Sequence, residues 1–140
     1  MLIFLLLSSA FFARGQGILE DAAQAFAISA ESKKPVLLVF SGSDWCAPCI
    51  RFNREVLTTE QFQYYAADHF ILLKADFPQR KKLEKELVMQ NEKLADRYNP
   101  NGQFPHILLL HPDQSVLATL YYKNQNPEEF ISQLSTHFAE

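Results

Sequence analysis

Two cysteines that directly follow a buried strand and open a helix constrain the fold more than any other feature of this sequence. Residues 36–40 form a continuous apolar run of the length expected for a strand covered on both faces. A turn at residues 41–44 follows, and then comes the string Cys46-Ala47-Pro48-Cys49. Pro48 falls in the first turn of the helix that begins there, where its missing N–H removes no hydrogen bond. The pattern predicts a strand–turn–helix unit with Cys46 at the start of the helix.

Both cysteines of the 140-residue chain lie in this one C-x-x-C. A disulfide between them closes a loop too short to stabilise a fold appreciably, so chemistry explains the pair better than structure does. Haem attachment requires a histidine directly after the second cysteine, and this chain has Ile50 there. A zinc or copper(I) site would need Asp44 or His106 to complete it, and no second C-x-x-C or His pair supports one. We therefore expect a redox pair and no bound metal.

The start of a helix favours the reactive form of Cys46. Unpaired N–H groups and the positive end of the helix dipole lie beside its sulfur, and both stabilise a thiolate relative to a thiol. The thiolate is the nucleophile in exchange with a disulfide. Cys49 lies one turn further along, where we expect it to be more buried and able to resolve a mixed disulfide on Cys46.

The rest of the chain predicts the element order α-β-α-α-β-α-β-β-α. Two early buried strands separated by helices imply a right-handed parallel crossover, whereas two late strands joined by a short turn imply an antiparallel hairpin. The result is an α/β fold, with a mixed central sheet and helices on both faces. Helices are predicted at residues 18–33, 47–57, from 59, at 83–98 and from 127, and strands at 36–40, 70–75, 106–111 and 116–122.

The N-terminus differs from the rest of the chain in being almost wholly apolar over residues 1–13. This run is about a dozen residues long, whereas a membrane-spanning helix needs about 20. We interpret residues 1–15 as a cleaved secretory signal peptide and residues 16–140 as one domain, which predicts a periplasmic or secreted protein. The alternative is an N-terminal helix packed on the domain.

Residues 40–49 resemble the active-site segment of the thioredoxin superfamily, and most closely that of exported, single-domain thioredoxin family proteins of bacteria. Phe104-Pro105, just before a predicted strand, matches the position of the cis-proline of that family. The resemblance implies a thioredoxin fold, catalytic Cys46 and Cys49, and a groove for an extended protein substrate. By position, the groove residues are Trp45, Ala47, Pro48, Phe104, Pro105 and His106.

Three departures from the family pattern stand out. Thioredoxin carries a buried acidic residue six positions before the first cysteine, where this chain has Phe40; Lys74 and Asp76 are the available substitutes. The dipeptide between the cysteines is Ala-Pro rather than Gly-Pro, for which we expect a reducing to intermediate potential. Phe104 and His106 flank the proline, so the groove is narrower or reshaped. His106 brings a ring that titrates near neutral pH towards the thiols, and we expect it to be packed or exposed rather than a proton shuttle.

These features predict an exported thiol–disulfide oxidoreductase that needs no bound cofactor, because the cysteine pair carries the electrons. Its partners are protein thiols and disulfides, together with a membrane or envelope redox protein that recycles the pair. The net charge of −3 offers no basic surface for nucleic acid, and we expect a monomer. The alternative is a non-catalytic binding or assembly module that keeps the fold and makes little use of the cysteines.

Overall fold

A computed structural model describes residues 17–138, in which five strands form one mixed sheet covered by helices on both faces. The strands lie in the order β1-β3-β2-β4-β5. Their bounds are β1 Ile18–Leu19, β2 Val36–Ser41, β3 Ile71–Asp76, β4 His106–Leu110 and β5 Val116–Leu120. The helices are α1 Ala22–Ser32, α2 Ala47–Phe52, α3 Glu60–His69, α4 Lys85–Tyr98 and α5 Pro127–Ser135, and a π-helical segment, Asn53–Leu57, continues α2.

The pairing of the strands confirms the predicted α/β sheet. β3 runs parallel to β1 and β2, whereas β4 runs antiparallel to both β2 and β5. The short link between β4 and β5 makes the expected hairpin, and the helices between β2 and β3 make the expected crossover. The carboxyl ends of β2 and β3 therefore meet at one edge of the sheet, and α2 begins there.

Two apolar cores hold the layers together, one on each face of the sheet. Alternate residues of the central strands point to opposite faces. Leu37, Val39 and Leu72 face the first core, which includes Phe52 of α2 and Phe130 of α5. The second core contains Phe40, Leu38 and Leu73 from the sheet, with Ala25 of α1 and Leu94 of α4. The cysteine-bearing helix thus packs on the first core.

Polar side chains define where several helices begin. Asp21 accepts a hydrogen bond from the backbone N–H of Gln24 at the start of α1, and Thr59 does the same for α3. Asn126 and Glu129 form a reciprocal capping box at the start of α5. Each cap satisfies backbone donors that a helix leaves unpaired at its N-terminus.

The structure corrects the predicted start of the chain's first element. Ile18 and Leu19 do not begin a helix; they form a two-residue strand that pairs with Leu72 and Leu73, and α1 begins three residues later. The proposed signal peptide, residues 1–15, lies outside the described residues. Among residues 17–138, no helix is both long and apolar enough to cross a membrane.

Candidate active site

Cys46 and Cys49 form a disulfide at the start of α2, with their Cα atoms 5.2 Å apart. Cys46 is the N-cap residue, and the backbone N–H of Cys49 donates a hydrogen bond to its Sγ at 3.3 Å. Cys46 is 5% exposed and Cys49 is 2% exposed. When the pair is reduced, this N–H donor and the helix dipole favour negative charge on the Cys46 sulfur rather than on the Cys49 sulfur.

The turn before the cysteines is fixed by a hydrogen bond to Cys46 and by two hydrogen bonds to the end of β3. The carbonyl of Gly42 accepts a hydrogen bond from the backbone N–H of Cys46 at 2.9 Å. The backbone N–H and the hydroxyl of Ser43 both donate to the carboxylate of Asp76, at the end of β3. Gly42 is required here because a Cβ at this position would overlap the indole of Trp45. The glycine therefore lets Trp45 lie flat against the turn.

Three aromatic rings form a cluster beside the disulfide. The indole N–H of Trp45 donates to the carbonyl of Phe77 at 2.7 Å. The Trp45 ring packs edge-on against Phe104, with centroids 5.3 Å apart, and Phe104 packs in the same way against Phe77 at 5.5 Å. Trp45 is 39% exposed, so this cluster presents an apolar surface next to Cys46.

Asp44 anchors a neighbouring loop to this turn, a role that the sequence analysis missed. Its carboxylate accepts hydrogen bonds from the backbone N–H groups of Gln79, Arg80 and Lys81, at 2.8 to 2.9 Å. These bonds, those from Gln79 and Lys81 above all, lower the pKa of Asp44 below its ordinary value of 3.8. The only signal in the sequence was a turn-favouring aspartate four residues after a strand, which does not reveal a partner 35 residues away.

The remaining predicted groove residues lie at the same edge of the sheet. Ala47 and Pro48 are exposed in the first turn of α2. The Phe104–Pro105 peptide bond is cis, as the sequence predicted, and Pro105 directly precedes β4. Because His106 pairs with Phe40 in the antiparallel register, the start of β4 lies beside the carboxyl end of β2. The structure thus brings the C-x-x-C and the Phe104–Pro105 motif to the same end of the sheet, where β2 ends and β4 begins.

His106 belongs to this edge of the sheet, but its ring turns towards α4. The ring packs 6.0 Å from that of Phe40, and its Nε2 lies 3.2 Å from the carbonyl oxygen of Tyr98. Phe40 and Tyr98 both belong to the core on the face opposite Cys49. Burial lowers the pKa of His106, which keeps the ring neutral at neutral pH. Of the two environments expected for this ring, packed or exposed, the structure shows a packed and partly buried one.

The position six residues before Cys46 offers no acid. Phe40 is fully buried and packs against Phe77 and His106. Of the two substitutes, Asp76 is occupied by its hydrogen bonds to Ser43, whereas Lys74 lines a small cavity together with Cys49. Of these two substitutes, Lys74 is the one that shares a cavity with Cys49.

The residues considered as metal ligands are engaged elsewhere. Asp44 binds backbone N–H groups, and His106 lies against Tyr98. Within residues 17–138, no three or more His, Cys, Asp or Glu side chains cluster as a metal site would require. The site thus consists of the disulfide, the aromatic cluster and the edge of β4.

Comparison with known proteins agrees with this geometry. The family model of thioredoxin-like proteins matches residues 17–112, more than half of the chain. The disulfide bond reductase DsbH of Chlamydia pneumoniae is 28% identical over 117 residues, which are 84% of this chain and 70% of DsbH. The thioredoxin-related protein DsbJ of the same organism is 28% identical over 105 residues, 75% of this chain but only 30% of DsbJ.

A solved structure gives the same result for the fold. The structure of a DsbH oxidoreductase superposes with a TM-score of 0.80 at 25% identity, covering 94% of this chain and 91% of that one. In this chain, that fold places the cysteine pair at the start of a helix that follows a central strand. The chain therefore belongs to the thioredoxin-like family, and its Cys46–Cys49 disulfide makes it a thiol–disulfide oxidoreductase.

Proposed function

We propose that this chain is an exported reductase of protein disulfides, with Cys46 as the nucleophile and Cys49 as the resolving cysteine. The observation that carries the proposal is the N-cap position of Cys46, whose sulfur accepts a hydrogen bond from the N–H of Cys49. This geometry stabilises a Cys46 thiolate, which is the form that attacks a substrate disulfide. The reductive direction is supported by the relative named as a disulfide bond reductase.

The reaction proceeds in two exchanges. The Cys46 thiolate attacks one sulfur of a substrate disulfide, so a Cys46–substrate bond forms and the other substrate sulfur leaves as a thiolate. The Cys49 thiolate then attacks the Sγ of Cys46 and releases the second substrate sulfur. Two electrons pass from the cysteine pair to the substrate, and the departing thiolates take up protons from solvent.

The surface around Cys46 suits an extended protein segment. Trp45 and Phe104 supply an apolar wall, and Ala47 and Pro48 are exposed directly after Cys46, in the first turn of α2. Pro105 lies directly before β4, where its backbone would be offered to an extended substrate segment. His106 contributes through its backbone rather than its ring, because the ring is turned towards Tyr98.

Export rests on the N-terminal sequence. Residues 1–13 have the apolar character of a secretory signal, and residues 16–140 would form the mature protein. Outside a reducing cytosol, each turnover leaves the pair oxidised, so a membrane or envelope redox protein has to reduce it again. The chain would act as a monomer on protein thiols and disulfides, with no cofactor beyond the cysteine pair.

Trapping of mixed disulfides tests this proposal directly. A Cys49→Ser variant keeps the nucleophile but cannot resolve, so it should accumulate covalent adducts with protein partners. These adducts should be visible on non-reducing gels and should disappear on reduction. The matched control is the Cys46→Ser, Cys49→Ser double variant, which should form none.

Failure to form adducts would favour the alternative. If Cys49→Ser traps no protein under conditions in which the same variant of a known thioredoxin does, the chain is a binding or assembly module. The aromatic surface around Trp45 would then bind a partner protein without any thiol–disulfide exchange.

A further inference from the structure

A small cavity with several polar residues in its lining lies beside the resolving cysteine. Its volume is about 140 Å³, and Cys49, Asn53 and Lys74 line it together with Ser41 and Ser43. A cavity of this size accommodates about four water molecules at the volume each occupies in the liquid. Cys49 itself is 2% exposed, so this cavity is its route to water.

Lys74 supplies a positive charge to the cavity. On β3, Leu72, Lys74 and Asp76 point to the face that α2 covers, because alternate residues of a strand share a face. Within residues 17–138, Lys74 makes no ion pair and its ammonium group makes no hydrogen bond to protein.

The other charged groups near the cavity have partners of their own. Arg54, which also lines it, is paired with Glu55 at 3.0 Å. The carboxylate of Asp76 accepts both hydrogen bonds from Ser43. No carboxylate lines the cavity in the described part of the chain, so Lys74 has no ion-pair partner within the lining.

Asn53 supplies an acceptor that lacks a donor. It lies one turn after Cys49, and its backbone N–H bonds to the carbonyls of Cys49 and Ile50. Its Oδ1 is buried and has no hydrogen-bond partner among residues 17–138. A buried acceptor left unpaired costs about 1–3 kcal/mol, so its retention calls for a reason.

We propose that Asn53 and Lys74 are positioning residues for the ionisation of Cys49: Asn53 holds the water that takes the proton, and Lys74 stabilises the thiolate. They would act in this chain where thioredoxin has a buried acid and this sequence has Phe40. This inference rests on the proposed function, because it concerns the resolution step. Water in the cavity accepts the Cys49 proton and passes it to solvent. Asn53 holds that water through its Oδ1, and the ammonium of Lys74 opposes the burial that disfavours the thiolate.

The step balances without a further reactant. Cys49 loses one proton to water, its thiolate attacks the Sγ of Cys46, and the Cys46–substrate bond breaks. The electron pair of that bond leaves with the substrate sulfur, and the Cys46–Cys49 disulfide forms. Lys74 and Asn53 are unchanged at the end.

Stopped-flow reaction of the reduced full-length protein with 5,5′-dithiobis(2-nitrobenzoate) separates the two exchanges. The first release of coloured thiolate reports attack by Cys46, and the second reports resolution by Cys49. For Lys74→Met we expect the pH midpoint of the second phase to rise by about one unit, at the lower end of the effect of a neighbouring opposite charge. Resolution near neutral pH then slows about tenfold, while the first phase stays within about twofold.

Two further variants and a control complete the experiment. Asn53→Leu keeps the size of the side chain and should slow the second phase in the same way, whereas Lys74→Arg should keep the wild-type pH midpoint. The control is Lys93→Met, an exposed lysine of α4 far from the cavity lining. Thermal unfolding shows whether each variant folds, and Lys74→Gln serves if the methionine variant does not.

The outcomes separate this inference from the proposed function. If the pH profiles of the folded Lys74 variants and of Asn53→Leu coincide with that of Lys93→Met, the inference is wrong while the reductase stands. If the wild-type protein shows no second release at any pH, the pair does not resolve and the proposed function itself fails.

Discussion

Cys46 and Cys49 are both buried, but different groups surround their sulfur atoms. The Cys46 sulfur accepts the N–H of Cys49 at the positive end of α2. Cys49 faces the cavity that Asn53 and Lys74 line. The surroundings of Cys46 favour a thiolate whenever the pair is reduced. The surroundings of Cys49 favour, in our proposal, a thiolate that forms only during the resolution step. Nucleophile and resolving cysteine thus differ by their surroundings.

The partly buried ring of His106 leads to a prediction about stability and pH. Burial lowers its pKa below 6.5, so the unfolded chain takes up the proton at a higher pH than the folded chain does. The stability from the neutral ring is therefore complete above pH 6.5 and is lost as the pH falls through the lowered folded-state pKa. Relative to His106→Gln, the wild-type free energy of unfolding should fall by at most about 1.4 kcal/mol per pH unit, the slope for one proton.

Denaturant unfolding between pH 7 and pH 5 measures this difference. The other three histidines are present in both proteins, so their contributions cancel. Equal slopes for the two proteins, or a wild type that gains stability relative to the variant as the pH falls, would contradict a His106 ring whose pKa is lowered by the fold.

Single residues differ in how far the sequence predicts them. Cys46, Cys49 and Pro105 are recognisable because their neighbours in sequence set their environment. The cysteines follow a predicted strand and begin a predicted helix, and Pro105 follows Phe104 directly before a predicted strand. The roles of Asp44 and Asn53 depend on contacts with other parts of the chain. In the sequence, Asn53 is only a polar residue within the predicted helix at 47–57. The cavity beside it forms only when β3, which carries Lys74, packs next to that helix.

At the scale of elements, the cysteine helix changes its winding directly after the active site. α2 has six residues, and the chain then widens into five residues of π-helix beginning at Asn53. Such widened turns often lie at functional sites, because they re-aim a side chain within a helix. The apolar stripe predicts a helix over this whole stretch but cannot show the wider turn. The two-residue strand β1 escaped prediction for a related reason, since a run that short has no visible alternation.

The loop held by Asp44 can be tested by its acid titration. Because hydrogen bonds to its carboxylate lower the pKa of Asp44 below 3.8, the anchoring is complete above that pH and is lost as the pH falls through the lower folded-state value. The backbone amide resonances of Gln79, Arg80 and Lys81 should therefore shift together in an NMR titration, with one midpoint below 3.8. An Asp44→Asn variant should lack this transition.

Two results would contradict this account of the loop. One is a midpoint at or above 3.8 for the three amides. The other is three separate midpoints, which would mean that the amides do not share one acceptor.

At the scale of the whole molecule, the fold gathers the chemistry at one edge of the sheet. The carboxyl ends of parallel β2 and β3, the start of antiparallel β4 and the start of α2 all meet there. Alternating strands and helices predicted this arrangement from the sequence, because crossover rules leave few ways to connect them. The face of the sheet on which each side chain lies followed only from the strand register. The backbone of His106 therefore lies next to the end of β2, whereas its ring points away from the cysteines, towards Tyr98.

The reduction potential of the Cys46–Cys49 couple tests the central claim most directly. Equilibration with glutathione or dithiothreitol, followed by quantifying reduced and oxidised protein, gives its value. The account predicts a two-electron couple at about −250 mV or lower, in the range of reducing members of the fold. A value near about −120 mV would mark a disulfide donor and contradict the reductase, and the absence of any reversible couple would contradict redox function altogether.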